Sequence, residues 1–160
     1  MPVGTAPGNG PDLIFEFHDF VIVVEVTLTD NSRQEAAEGE PVRRHVADLV
    51  SHSGGQSGKP VYGLFIANRI DSNTAETFRI GAWYTRADEK MRLDIIPVTL
   101  LQFKAFFEVL FISGRVEVGL IRHLLDLCGG LRPGNEAPAW KAQIEKTISQ
   151  RIVEIQTSNV

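Results

Sequence analysis

An α/β fold, with a mixed β-sheet flanked by helices, is predicted from the order of the apolar segments along the chain. A β-hairpin is followed by a helix, a strand, a helix, a strand and three further helices. Strands that alternate with helices indicate parallel pairing through crossovers, whereas a tight hairpin adds an antiparallel pair. The length of 160 residues predicts one domain. We expect it to cover residues 11–160, preceded by a disordered Gly/Pro-rich segment at residues 1–10.

The hairpin is predicted within PDLIFEFHDFVIVVEVTL, residues 11–28. If the His-Asp dipeptide at 18–19 forms a two-residue loop, facing residues have numbers that sum to 37, so that Asp12 faces Glu25. The alternative is a longer, irregular turn, because His-Asp is not a favoured hairpin dipeptide, with both acids at exposed strand ends. Alternation along the two-residue-loop hairpin makes one face wholly apolar. That face consists of Leu13, Phe15, Phe17, Phe20, Ile22, Val24, Val26 and Leu28.

The two facing acids are the clearest functional signal in the hairpin. Directly opposed side chains have Cβ atoms about 4.5–5.5 Å apart, and like charges at that separation destabilise a sheet. A carboxylate pair of this kind therefore indicates a bound cation or a shared proton.

The elements that follow are predicted from apolar spacing and capping residues. Pro41 favours the first turn of a helix whose apolar residues recur at i, i+4, i+7 and i+8. VYGLFIA, residues 61–67, is a buried strand by length and composition. A second helix is capped by Asp71 or Ser72 and runs to about Tyr84.

The second half of the chain is dominated by helices. Thr99 and Gln102 form a capping-box pattern that opens an apolar helix, and Gly129-Gly130 is expected to stop the next one. The elements in order are a strand at 92–98, helices at 100–112 and 116–128, a loop at 131–139 and a long amphipathic C-terminal helix.

Composition narrows the classes of function. The net charge of −4 argues against a domain that grips nucleic acid by itself, because phosphate neutralisation dominates such binding. No apolar run reaches the roughly 18–20 residues that cross a membrane, and no signal peptide is recognisable. The lone cysteine, Cys128, excludes an internal disulfide and predicts a cytoplasmic protein.

The residues PD at 11–12 and EVT at 25–27 resemble the PD-(D/E)XK nuclease motif. The longer stretch VEVTLTDNSRQEAAEGEPVRRHV, residues 24–46, is similar to the cleavage domain of AlwI-type restriction endonucleases, which are relatives of the FokI cleavage domain and of nicking endonucleases. The similarity extends more weakly to about Leu127. It implies a PD-(D/E)XK core for the predicted α/β fold.

The resemblance implies a set of site residues. Asp12 and Glu25 match the metal-binding acids of the family, and the main-chain carbonyl of Val26 would complete a site for Mg²⁺ or Mn²⁺. Thr27 stands where most PD-(D/E)XK enzymes have lysine, a departure that the AlwI branch shares. Another group must then stabilise charge and orient water.

Further candidates lie in and beside the following helix. Glu38 matches another acid of that branch, although it could simply place negative charge near a helix N-terminus. His45 matches a polar position on the helix, or it is a boundary residue. Arg43, Arg44 and Lys59 are the cations that could contact DNA and replace the lysine, and each is alternatively a solvated surface residue.

The resemblance implies a metal-dependent endonuclease that hydrolyses double-stranded DNA, as the cleavage domain of a type IIS-like restriction or nicking enzyme. Such a domain needs a separate recognition domain or subunit, and it can form a transient homodimer for double-strand cleavage. With ten residues ahead of the PD motif, the chain is expected to be an excised domain or a minimal subunit. Two rival hypotheses are a catalytically silent nuclease-like assembly module and an unrelated α/β binding domain in which the two acids coincide by chance.

Overall fold

The computed structural model describes residues 2–3, 10–31, 33–53, 58–114 and 116–158. In chain order the elements are β1 (Pro2–Val3), β2 (Leu13–Glu16), β3 (Val21–Thr27), a π-helical turn (Glu35–Gly39), α1 (Glu40–Ser53), β4 (Val61–Ala67), α2 (Ser72–Ile80), β5 (Ala82–Tyr84), β6 (Lys90–Arg92), β7 (Asp94–Thr99), α3 (Leu100–Ile112), α4 (Val118–Gly130) and α5 (Ala137–Thr157). The prediction of an α/β fold is confirmed.

The main sheet has five strands in the order β1-β2-β3-β4-β7. The first three pair antiparallel, and β3, β4 and β7 run parallel to one another. Because β7 lies at the sheet edge, Pro97 does not interrupt a central hydrogen-bonding ladder. Because β3, β4 and β7 are parallel, their carboxyl ends lie side by side along one edge of the sheet, perpendicular to the edge that β7 forms.

The two-residue hairpin is confirmed. The amide of Phe17 donates to the carbonyl of Phe20 at 2.9 Å, and Leu13 pairs with Val24, so facing numbers sum to 37. The predicted disorder at 1–10 differs from the structure at Pro2 and Val3, which form β1 and pair with β2. Met1 and residues 4–9 lie outside the described residues.

Helices cover the two faces of the sheet differently. On one face Gly63 allows Val46 of α1 and Ile95 of β7 to approach closely, since a Cβ there would lie 3.0 Å from Val46 and 2.8 Å from Ile95. Phe65 contacts Phe78 of α2 on the same face, with ring centroids 5.1 Å apart. The other face packs against α3 and α4. The described residues include no helix long and apolar enough to span a membrane.

One predicted helix end and one predicted strand start are wrong. The helix capped by Asp71 ends at Ile80 rather than near Tyr84, because Gly81 adopts φ 61°. The Leu93 amide donates to the Gly81 carbonyl, and the separate two-stranded sheet of β5 and β6 begins directly after this glycine. A Cβ at Gly81 would lie 2.7 Å from the Leu93 carbonyl oxygen. The strand predicted to start at residue 92 starts instead at Asp94, because Arg92 belongs to β6 and pairs with Ala82 of β5.

The later helices follow the predictions with one correction. The capping box of Thr99 and Gln102 is present, and α3 covers 100–112 as expected. Gly129 and Gly130 are the last two residues of α4 rather than its stop signal, and Leu131 is the C-cap, because packing of the helix overrides the weak helix propensity of glycine. Cys128 is buried, and burial raises the pKa of its thiol to about 12, so it is a packing residue.

Candidate active site at the carboxyl ends of the parallel strands

Asp12 and Glu25 lie together at the sheet edge formed by the carboxyl ends of β3, β4 and β7. Asp12 directly precedes β2, and the hairpin register places it opposite Glu25, near the end of β3. The Asp12 carboxylate accepts a hydrogen bond from the Val26 amide at 2.7 Å, which fixes the exposed acid beside the strand. The predicted juxtaposition of the two acids is therefore present.

Glu25 is held by His45 from α1. The two side chains are 14% and 10% exposed, and His45 Nδ1 lies 2.5 Å from Glu25 Oε1. Burial raises the pKa of Glu25 above its ordinary value, and the hydrogen bond and charge of His45 oppose that increase. The carboxylates of Asp12 and Glu38 raise the pKa of Glu25 further.

Glu38 therefore belongs to the same electrostatic cluster. It lies in the π-helical turn that leads into α1, and it is half-buried. We call Asp12, Glu25, Glu38 and His45 the acid cluster. No lysine or arginine within the described parts of the chain forms an ion pair with its three carboxylates, and His45 is the basic side chain that contacts Glu25.

Thr27 is the last residue of β3, two positions after Glu25. It is buried, and its hydroxyl accepts a hydrogen bond from the Thr29 amide at 3.0 Å. The side chain at position 27 thus organises the chain leaving β3 and supplies no positive charge.

Two of the candidate cations point to other partners. Arg43 donates to the Ala82 carbonyl at 2.8 Å, and its guanidinium lies 5.3 Å from the centre of the Trp83 ring. Arg44 is exposed and forms an ion pair of 3.5 Å with Glu40 on the same helix. The structure brings neither guanidinium into contact with the acid cluster.

Lys59 lies at the opposite end of the hairpin. Its ammonium group donates to the Phe17 carbonyl at 3.2 Å and contacts Glu16 at 3.5 Å. In the parallel register Val61 pairs with Val21, four residues before Glu25 in β3, which corresponds to about 13 Å along the strand. Lys59 therefore cannot replace the missing lysine from this position.

Gln34 is a functional candidate that sequence reasoning missed. It is fully buried, donates to the carbonyls of Thr29 and Arg69, and accepts from the Asp71 amide. The side chain thereby joins the loop after β3 to the loop after β4, at the carboxyl ends of the parallel strands. Its stretch of sequence is uniformly polar, so no periodicity distinguishes the one glutamine that becomes buried.

The donor set can be compared with what a divalent cation requires. The described residues contain no group of three or more His, Cys, Asp or Glu side chains arranged to hold a metal ion. Mg²⁺, however, keeps several waters and is commonly bound through one or two carboxylates. Asp12 and Glu25 meet that smaller requirement, because both are oxygen donors and the repulsion that raises the pKa of Glu25 would be relieved by a cation.

The sequence matches a family model over residues 1–106, which include the hairpin, α1 and the three parallel strands. The chain belongs to the AlwI restriction endonuclease family. The resemblance found in residues 24–46 is thus confirmed, and the acid cluster lies within the part of the chain that the AlwI family model matches.

The fold supports the same assignment. The small subunit of the heterodimeric restriction endonuclease R.BspD6I is similar to this AlwI family chain, with a TM-score of 0.70 and 26% identity. The alignment covers 90% of this chain and 72% of that subunit. No curated protein matches the sequence.

Proposed function

We propose that the chain is the metal-dependent catalytic unit of a restriction-type DNA endonuclease, with phosphodiester hydrolysis at the acid cluster. Membership of the AlwI restriction endonuclease family supports the reaction class. The observation that carries the proposal for this chain is the accumulation of Asp12, Glu25 and Glu38 with no lysine or arginine partner among the described residues. Such an arrangement is unfavourable unless a cation joins it.

Asp12, Glu25 and the Val26 carbonyl are the groups that would hold Mg²⁺ or Mn²⁺. When bound, the ion supplies a metal-activated water and neutralises charge on the phosphate and on the leaving oxygen. The chain's own residues orient the donors: the Val26 amide fixes Asp12, and His45 fixes Glu25. Glu38 adds negative charge that makes binding of a cation favourable.

We further propose that a recognition domain or subunit delivers this unit to double-stranded DNA. The net charge of −4 supports this division, because it offers little phosphate neutralisation. Delivery raises the effective concentration of the catalytic unit at one site. A transient homodimer is the corresponding arrangement for cutting both strands.

A role in assembly alone is the second candidate, and one observation favours a partner surface. Leu101, Phe111 and Ile112 of α3 are 78%, 69% and 86% exposed. The similar protein R.BspD6I2 is itself the small subunit of a heterodimer. A silent assembly module and a catalytic subunit would both use such a surface, so cleavage separates them.

The test uses the chain fused to a sequence-specific DNA-binding domain, with a supercoiled plasmid that carries one copy of the target. We expect Mg²⁺-dependent nicking or linearisation near the target, abolished by a chelator, and much weaker cleavage by the unfused chain. Glu25→Ala in the same fusion provides the inactive reference. Equal cleavage by Glu25→Ala, or no cleavage by the wild-type fusion with either Mg²⁺ or Mn²⁺, would refute the proposal.

A further inference from the structure

A second polar cleft lies at the same edge of the sheet as the acid cluster. It has a volume of about 350 Å³ and opens where β4 and β7 end, with α5 as its far wall. The polar groups that line it are Asn68, Arg69, Thr99, Gln102, Lys141 and Glu145. We call it the β4–β7 cleft.

The β4–β7 cleft and the acid cluster share one face of the sheet. In the parallel register Glu25 pairs with Phe65, which pairs with Pro97, and paired residues point their side chains to the same face. Pro97 lines the cleft, so Glu25 points to the cleft side. Two strand spacings of about 4.8 Å separate β3 from β7, which places the backbone of Pro97, at one wall of the cleft, roughly 10 Å from that of Glu25.

Two cations face this cleft. Arg69 is exposed. Partial burial lowers the pKa of Lys141, and the positive charge of Arg69 also acts to lower it. Lys141 donates to the Ile70 carbonyl at 2.9 Å and to the Ser72 hydroxyl at 3.0 Å, both neutral acceptors. An ammonium group has three donors, so one remains for a ligand.

The lining of the cleft carries one cation more than it carries carboxylates. Asp71, the N-cap of α2, is not part of that lining, and its negative charge acts favourably on Lys141. Glu145 is the one carboxylate that lines the cleft. Two cations and one carboxylate at a polar edge provide a place for an anion.

We propose that the β4–β7 cleft binds the phosphodiester backbone of the DNA strand that runs through the acid cluster, with Arg69 and Lys141 contacting phosphate. The proposal rests on the proposed nuclease function and names how the substrate is held. Gln34 joins the loop after β3 to the loop after β4, which carries Arg69.

The experiment measures binding of a fluorescent DNA duplex to the full chain by anisotropy over a series of low salt concentrations. Ca²⁺ replaces Mg²⁺ to limit cleavage. Arg69→Ala should weaken binding and reduce the slope of log K against log salt by about 0.9, the value for one lost phosphate contact. Arg86→Ala is the matched control, because it removes the same charge from an exposed turn between β5 and β6.

Lys141→Gln and Glu145→Gln complete the set. Lys141→Gln keeps an N–H donor for Ile70 and should reduce the slope as Arg69→Ala does, whereas Glu145→Gln should strengthen binding. Equal slopes for Arg69→Ala and Arg86→Ala, or the absence of DNA binding by the wild-type chain at the lowest salt, would overturn the proposal.

The outcome is separable from that of the nuclease proposal. A slope that depends on Arg69 in a chain that never cleaves would support the cleft and refute the catalytic assignment. Metal-dependent cleavage with rates unchanged by Arg69→Ala, together with an unchanged slope, would refute the cleft and leave the nuclease standing.

Discussion

Both ends of the β2–β3 hairpin carry acidic side chains, but those at the turn end form ion pairs with lysine or arginine and those at the open end do not. At the turn end Asp19 pairs with Arg122 at 2.8 Å, and Glu16 contacts Lys59 at 3.5 Å. At the open end Asp12, Glu25 and Glu38 repel one another and have His45 as their basic neighbour. The turn end is organised for local stability, whereas the open end retains a repulsion that only an additional positive charge removes.

The largest expected effect comes from removing a negative charge at the open end of the hairpin, and the same change at the turn end should have little effect. Asp12→Asn keeps an oxygen that can accept from the Val26 amide but loses the negative charge. Second-sphere changes at metal sites commonly cost about 10–100-fold, and a direct ligand should cost at least about 100-fold in kcat/KM for plasmid cleavage. Asp19→Asn, at the turn end, should leave kcat/KM within about two-fold, since exposed ion pairs contribute little.

A loss of activity that is the same for Asp12→Asn and Asp19→Asn would contradict this comparison. It would indicate that hairpin stability, rather than the acid cluster, limits cleavage. Melting curves of both variants without metal separate these explanations.

The second prediction concerns the response of stability to divalent ions. A ligand at 100 times its Kd stabilises the native state by about 2.7 kcal/mol. For a domain of this size that corresponds to a rise in Tm of about 5–10 °C, at 2–4 °C per kcal/mol. Ca²⁺ or Mn²⁺ should produce this rise in the wild type and in Glu16→Gln, and it should be absent in Asp12→Asn. A full rise in Asp12→Asn would place the ion elsewhere.

The third prediction concerns the repulsion at the open end without metal. The pKa of Glu25 is raised in the folded chain, so its ionisation is less favourable there than in the unfolded chain. The stability associated with Glu25 is therefore complete below its unfolded pKa and is lost as pH rises through the folded pKa. Glu25→Gln keeps the acceptor for His45 and avoids this loss, so it should melt a few degrees above the wild type at neutral pH.

The two proteins should converge as pH falls below the ordinary pKa of a glutamate. Differential scanning fluorimetry across that range checks the sign. A Glu25→Gln variant that is less stable than the wild type at neutral pH would mean that the pair with His45 outweighs burial and repulsion.

The open end could be predicted from the sequence to a useful extent because it depends on local rules. The two-residue turn determines the register, and the register alone brings Asp12 opposite Glu25. The start of helix α3 was predictable, because a capping box is a contact between neighbours in sequence.

Other features depend on tertiary contacts that no local pattern reveals. The end of α2 is determined by the contact between Leu93 and Gly81. The orientation of the Arg43 guanidinium is determined by its contact with the Trp83 ring. The position of Lys59 depends on the pairing of β4 with β3. The cleft beside Lys141 depends on where α5, far along the chain, packs against the carboxyl end of β7.

The smallest expected effect is at Thr27, the position that usually carries lysine. The Thr27 hydroxyl accepts from the Thr29 amide, and the side chain is buried, so Thr27→Ala should cost about 0.5–1.5 kcal/mol of unfolding free energy for the lost hydrogen bond. Its cleavage rate should fall far less than that of Glu25→Ala, because no charge at the acid cluster changes. Thr27→Ser keeps the acceptor and serves as the control for the hydroxyl. If Thr27→Ala loses as much activity as Glu25→Ala while Thr27→Ser retains it, the hydroxyl itself acts in catalysis and Thr27 joins the acid cluster as a catalytic residue.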